Sequence, residues 1–511
     1  MSNTSTLAWN KVDWKKIESR VFRIQRRIYK AKTEKKVNAI HYLQKKIINS
    51  IGAKLLAIRE AIRTKKSYWI KNIYFNNRKK KVKLAYQLKL KKKTEILNVI
   101  KESILSTKDE ATQFLIKLSL EPEWAPMLEP NSMGHQLGQS YQDTIENISS
   151  KQESDIKYIF QTNVFEGPKY FNKQRFLKKL NSIKLIEIQI KKWLNYKCIN
   201  QFEKKKIYSY NDSELEKIYK NPIIRLISDI AFNGLETYLI QIIKAETKKR
   251  SKTHYCKYLN EILIISDNEI VLTHTAVTCK QYLSYLGLHN DSKNQNMLKI
   301  KDGINFLGFQ LRILKKNNNF YKKISISKES KKLLLAKTRF IIQKNKAISS
   351  YFLIMKLKPI LLWWGKYFQY CECNEDFAQM DNKVLNQLRA WVFRRKAQGK
   401  NRNFLKEKYF PNEKIFTYQA SKYKNNWVLS GDLKTLDKNK HNFLPKLYWI
   451  KKQKYLSVKN NYTIYNGNYA YWYKRLKKLD VEQKLLLQTG FIVEGKIEIY
   501  NLFTRINPYS R

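Results

Sequence analysis

The stretch His254-Tyr255-Cys256-Lys257-Tyr258-Leu259-Asn260-Glu261-Ile262-Leu263-Ile264-Ile265 decides how the rest of the chain is read. Two runs rich in Tyr and Ile flank a short polar corner, the pattern of a β-hairpin. The corner, Tyr258-Leu259-Asn260-Glu261, sets one neutral amide beside one carboxylate. A second run of the same kind, Tyr158-Ile159-Phe160-Gln161-Thr162-Asn163-Val164-Phe165, reads as a neighbouring strand with a further amide, Asn163, near its end.

Around this hairpin lies a chain of 511 residues with Lys+Arg 101 against Asp+Glu 42, a formal charge of +59. Repulsion on that scale works against compaction and calls for a polyanionic partner. Each phosphate neutralised releases counterions, so binding should fall steeply with salt. Aromatic residues at 13%, with 33 Tyr, offer faces on which unpaired bases stack, which suits RNA better than duplex DNA. A ribosomal-type or membrane-surface basic protein is the bland alternative. Hydrophobic content of 43% is enough for a true core, and only 14 Gly and 9 Pro favour long helices. No run of about 18 apolar residues is present to span a membrane. Cys198, Cys256, Cys279, Cys371 and Cys373 form no Cys-x-x-Cys pair, which speaks for a reducing compartment and against structural zinc. Lys, Ile, Asn and Tyr have A/T-rich codons, which points to an organellar genome, and the start lacks a targeting pattern.

Trp14, Ile17, Val21, Ile24 and Ile28 recur at three and four spacings and predict an amphipathic helix whose other face carries Arg20, Arg23, Arg26, Arg27 and Lys30. Ile40, Leu43, Ile47 and Ile51 predict a second helix. Two lysine-dense runs, Arg78-Lys79-Lys80-Lys81 and Lys89-Leu90-Lys91-Lys92-Lys93, follow. Leu120-Glu121-Pro122-Glu123-Trp124 and Glu129-Pro130-Asn131-Ser132-Met133-Gly134 punctuate the middle, and Gly303-Ile304-Asn305-Phe306-Leu307-Gly308-Phe309 closes it. From about 325 the pattern is helical and includes Leu357-Lys358-Pro359-Ile360-Leu361-Leu362-Trp363-Trp364-Gly365 and Trp391-Val392-Phe393-Arg394-Arg395-Lys396.

Taken together these motifs resemble the organellar and bacterial group II intron reverse transcriptases and maturases. The resemblance covers roughly residues 9–410. It implies an α+β right hand with four parts: a basic helical N-terminal extension (1–62), fingers and palm (63–320), an α-helical thumb called maturase domain X (321–411), and a vestigial DNA-binding and nuclease tail (412–511). In that family the hairpin corner reads Tyr-Ala-Asp-Asp, and its aspartates, with one on the preceding strand, hold the catalytic metal ions. Those positions fall here on Asn260, Glu261 and Asn163. Only anions hold two Mg²⁺ ions close together, so polymerase activity is expected to be lost. Two family arginines fall on Gln136 and Gln139, and the family's Pro-Gln-Gly-Gly falls near Ile218-Tyr219-Lys220-Asn221. No cysteine follows Gln488-Thr489-Gly490, so the nuclease zinc site is missing as well.

The function implied is that of a maturase binding group II intron RNA, in precursor RNA, and assisting its folding and splicing. Arg23, Arg26, Arg27, Lys30, Arg59, Lys79, Lys80, Lys358, Arg394, Arg395, Lys396 and Lys408 are the expected RNA contacts. Trp364 and Tyr367 are read as core. No metal site or cofactor of its own is expected, Mg²⁺ being required by the RNA. The expected location is a plastid, with a mitochondrion as alternative, and a dimer is left open. An active reverse transcriptase and a general RNA-binding protein are the competing readings.

Overall fold

A computed structural model describes residues 9–65, 78–90, 107–133, 141–151, 157–164, 172–195, 223–246, 252–258, 261–288, 296–299, 303–316, 319–395, 401–434 and 439–453, with positions between 455 and 475. These divide into two compact units: 9–299 with 457–475, and 303–455. No described helix is long and apolar enough to cross a membrane.

The first unit opens with helices α1 (Trp14–Thr33), α2 (Val37–Asn49), α3 (Ile51–Lys65), α4 (Arg78–Gln87) and α5 (Thr107–Trp124). The Asp13 carboxylate accepts from the Lys16 N–H at 3.0 Å and starts α1. Val21, Ile28, Ile40, Leu43, Ile47, Ile58 and Leu115 then share one core. Pro122 lies inside α5 and has no N–H to give the Leu118 carbonyl. The buried Gln25 side chain of α1 supplies that donor instead, at 2.9 Å. One residue on, Glu123 accepts from the Gln44 amide at 2.6 Å and pairs with Lys32 at 3.1 Å. The Glu-Pro-Glu segment thereby ties α1 and α2 to α5.

Helices α6 (Tyr141–Lys151), α7 (Lys173–Leu180), α8 (Lys184–Asn195), α9 (Ile224–Phe232), α10 (Leu235–Glu246) and α11 (Glu269–Tyr285) accompany a five-stranded sheet. Its strands are β1 (Ser132–Met133), β2 (Tyr158–Asn163), β3 (His254–Tyr258), β4 (Glu261–Ser266) and β5 (Asn296–Lys299), in the order β1-β3-β4-β2-β5. All pairings are antiparallel except β1 with β3. Every residue of β4 is buried. Ile262 and Ile264 pack with Leu272, Ala276 and Leu283 of α11, while Leu263 and Ile265 line a small cavity with Ile148 of α6. Coverage on both faces explains why this strand reads as an unbroken apolar run.

The second unit begins with the meander β6 (Ile304–Phe306), β7 (Phe309–Lys316) and β8 (Asn319–Ile326). Helices α12 (Lys328–Lys344), α13 (Ser350–Phe368), α14 (Asn374–Phe393) and α15 (Arg402–Tyr409) follow. Leu307 and Gly308, at φ 51° and 81°, make the two-residue turn between β6 and β7. The Tyr367 hydroxyl donates to the Leu307 carbonyl at 3.0 Å and its ring stacks on Phe309. The meander is thus fastened to α13, and the expected boundary at 320 is displaced to about 300.

The tail departs further from the expectation of a vestige. Hairpins β9 (Ile415–Tyr418) with β10 (Ser421–Lys424), and β11 (Ser430–Lys434) with β12 (Asn439–Phe443), close around the buried Trp449. A Cβ on Gly365 would meet Ile450 Cδ1 at 2.3 Å, and one on Gly431 would meet the Tyr351 nitrogen at 2.4 Å, so glycine permits both approaches. Residues 457–475 belong to the first unit: Trp472 packs fully buried with Phe22 and Tyr465, and Arg475 pairs with Asp143 at 2.9 Å, both side chains buried. The boundary expected at 62 separates nothing either, because α1–α3 and α5 share a core.

Two predictions follow from the braces. Gln25→Leu strands the Leu118 carbonyl and should cost about 1–3 kcal/mol in urea unfolding; adding Pro122→Ala restores an N–H to it, so the double variant should recover most of that loss. Asp381 of α14 accepts from the Leu447 and Tyr448 N–H groups at 2.8 and 2.9 Å, and burial pushes its carboxyl up to about 6. A folded-state value raised above 3.8 gives a contribution that is full below pH 4 and lost as pH rises through 6. Melting curves of Asp381→Asn should lack that decline, worth on the order of 3 kcal/mol, which the unsubstituted chain should show.

Candidate nucleic-acid interface

Strand register brings the family's catalytic positions together in part. Asn163, the last residue of β2, is the partner of Glu261, which is also paired with Tyr258 across the hairpin. Of the two facing positions 163 and 261 only Glu261 carries a carboxylate, and it is buried. Leu259 and Asn260 lie outside the described residues, as do Gln136, Gln139 and residues 218–221. Among the described residues no three His, Cys, Asp or Glu side chains are grouped so as to hold a metal ion.

Beside this corner sits a charge pair that sequence reading missed. Lys257 of β3 is fully buried, with its ammonium 3.0 Å from Asp229 of α9 and 3.1 Å from the Ser132 hydroxyl of β1, over the Phe232 ring. Removing one member would leave the other charged and unpaired, so the pair locks α9 to the sheet. Glu129 accepts from the Glu236 and Thr237 N–H groups at 3.2 and 2.9 Å and so caps α10. Glu236 accepts from the Asn131 backbone and side-chain amides. Lys179 closes the other end of α9 by donating to the Ala231 and Asn233 carbonyls, and burial pushes its ammonium down to about 8. An alternating Tyr/Ile run gives no sign of a buried lysine, because its counter-ion is 28 residues away.

The expected RNA contacts separate by direction. On α1, Arg23, Arg27 and Lys30 are exposed, and with Lys16 and Arg20 they form a stripe at three and four spacings, about 21 Å long. Lys16 was not among the expected contacts. Arg26 is half-buried. Arg59 points inward: it pairs with the buried Glu18 at 2.7 Å, reaches Glu60 at 3.4 Å and lies 4.7 Å from the Trp14 ring centre. In the structure it braces α1 to α3.

Two positions of the second unit also have intramolecular partners. Lys358 is half-buried against Phe443 and donates to the Asn442 side chain at 3.3 Å, with burial lowering its ammonium pKa. Arg395 stacks on Trp391 and donates to the Lys346 and Ile348 carbonyls. In each case a tertiary neighbour takes at least one of the donors. Arg394 and Lys408 remain exposed. Lys79 and Lys80 sit on α4 with side chains outside the described residues, and Lys396 lies outside them altogether.

Residues 9–88 match the N-terminal domain of reverse transcriptase, and residues 331–410 match the group II intron maturase-specific domain. Two separate segments of the chain are therefore similar to domains found in reverse transcriptases and in group II intron maturases. Maturase-like protein 1 of Euglena gracilis is 23% identical over 382 residues, spanning 70% of this chain and 77% of that protein. A telomerase from Candida albicans, solved with a fragment of telomeric RNA, aligns at 11% identity with a TM-score of 0.26. That alignment spans 52% of this chain and 51% of the telomerase. The α1 stripe lies within the first matched segment. Helices α13, α14 and α15 lie within the second, as does all but the start of α12.

The stripe and the inward arginine are separable by experiment. Changing Arg23, Arg27 and Lys30 to Gln should weaken RNA binding and reduce the slope of log K against log salt by about two to three, with melting unchanged. Arg59→Ala should leave that slope intact and lower unfolding stability by about 1–3 kcal/mol. Fluorescence anisotropy at stepped salt, with urea titration alongside, reads both.

Proposed function

We propose that this chain is a group II intron maturase that binds its intron within precursor RNA, stabilises the folded RNA and so assists splicing, without making or cutting DNA. The observation that carries the reading is the facing of Asn163 and Glu261 at the end of the sheet, in a chain that also has the maturase-specific domain. One carboxylate where the family has several cannot hold two Mg²⁺ ions against their mutual repulsion. The buried Lys257–Asp229 pair makes the sheet a rigid support in its own right.

On this reading the intron RNA supplies the metal-dependent chemistry and requires Mg²⁺, while the protein supplies counter-charge and positioning. The exposed stripe on α1 and the exposed Arg394 and Lys408 contribute sequence-independent phosphate binding, as cations on a surface do. An organellar setting fits the A/T-rich codon bias, and a plastid is the location we favour.

Splicing of a candidate host intron, followed with and without the protein at limiting Mg²⁺, tests the reading. The protein should raise the spliced fraction, and the gain should disappear as salt rises. Primer extension on the same RNA should give no Mg²⁺-dependent product above a protein-free control. Extension products would favour an active reverse transcriptase instead. Equal binding to ribosomal RNA and to the intron, with no gain in splicing, would favour a general RNA-binding protein.

A further inference from the structure

Two adjacent tryptophans of α13 end in different surroundings. Trp364 is 5% exposed and packs against Phe368 and Phe377, whereas Trp363 is 40% exposed. Trp363 continues a stripe with Phe352, Met355, Lys356 and Pro359, at 45% and 52% exposure for the first two. The spacing of three and four residues sets all five on one face. A contiguous apolar stripe left in water marks a contact surface.

Three features indicate what covers it. The sequence has no Asp or Glu between Glu329 and Glu372, so every charged side chain of α13 itself is cationic. An aromatic face with a cation beside it is the arrangement on which nucleobases stack. Lys356 is held by Asn345 at 2.6 Å through one of its three donors, which leaves the other two for a phosphate. Finally, Pro359 has no N–H to give the Met355 carbonyl, so this face of the helix carries an acceptor without its usual donor. A ribose hydroxyl or the exocyclic amine of an unpaired base can fill that role.

Building on the reading of the chain as an RNA-binding maturase, we propose that this face of α13 is a stacking platform for unpaired nucleotides of the RNA. Trp363 and Phe352 take base faces and Lys356 takes a phosphate. The two rings lie roughly 16 Å apart along the helix axis, a span that a few single-stranded nucleotides cover. A duplex cannot use the platform, because its base faces are already stacked on one another. Trp363 leans on Tyr367, whose hydroxyl is fixed to the Leu307 carbonyl, so the exposed ring is oriented before RNA arrives.

The test uses the full chain with a short unstructured RNA and a duplex of equal length, both fluorescently labelled. Joint replacement Phe352→Ser and Trp363→Ser should weaken binding of the unstructured RNA about tenfold or more. Duplex affinity and the salt slope should stay as they are, because no phosphate contact is removed. Trp363→Phe should keep most of the affinity. Independently, photocrosslinking of thiouridine-containing RNA to the unsubstituted chain should recover peptides carrying Trp363 or Phe352. Unchanged affinity for unpaired RNA, an equal loss on both RNAs, or crosslinks confined to other helices would overturn the proposal. Unchanged RNA affinity with an altered sedimentation coefficient would assign the face to a second copy of the chain and overturn it too. If the unsubstituted chain binds neither RNA, the maturase reading fails first, and that result is distinct from a failure of the platform alone.

Discussion

Everything in this structure depends on how a chain with 101 cationic and 42 acidic residues can fold at all. The scarce carboxylates are drawn inward and used as braces. Glu18 holds Arg59, Glu123 holds Lys32 and Gln44, Asp229 holds Lys257, and Asp143 holds Arg475. Glu129 and Asp381 take backbone N–H groups instead, at the starts of α10 and of the turn at Leu447–Trp449. Each brace satisfies a buried charge that would otherwise be costly. Many of the remaining described cations are exposed, and their mutual repulsion would be offset by a polyanion.

That division of labour bears directly on chemistry. In a polymerase palm, carboxylates are gathered at the strand corner to hold metal ions. In this chain Glu261 faces Asn163, and the acids nearest the sheet are spent on α9 and α10. The matched N-terminal domain of reverse transcriptase bears the cationic stripe of α1, and the maturase-specific domain bears the aromatic face of α13. The cationic stripe and the exposed aromatic face thereby lie on separate helices.

The helices and the hairpin were legible because periodicity is a local property. The three-and-four spacing of Val21 and Ile28 is the inward face of α1, and the polar corner between Tyr258 and Glu261 does join two antiparallel strands. What failed was direction at single side chains. Arg59, Lys358 and Arg395 were expected as RNA contacts from the family resemblance and, for Arg395, from its cationic neighbours. Each is turned to a partner supplied by a distant segment: Glu18, Asn442, and the carbonyls of Lys346 and Ile348. The tail looked vestigial because its motifs were judged for nuclease ligands, while its buried Trp449, Trp472 and Arg475 serve packing.

By itself the sequence determined the excess of positive charge, the helical and hairpin segments, and the amides at 163 and 260, since charge, periodicity and residue identity need no third dimension. Only the tertiary structure decided which cations remain free for phosphate, where the tail belongs, and which of two adjacent tryptophans meets water. Those outcomes rest on donors, acceptors and ring faces converging from segments tens to hundreds of residues apart, as Gln25 does on the carbonyl that Pro122 leaves open.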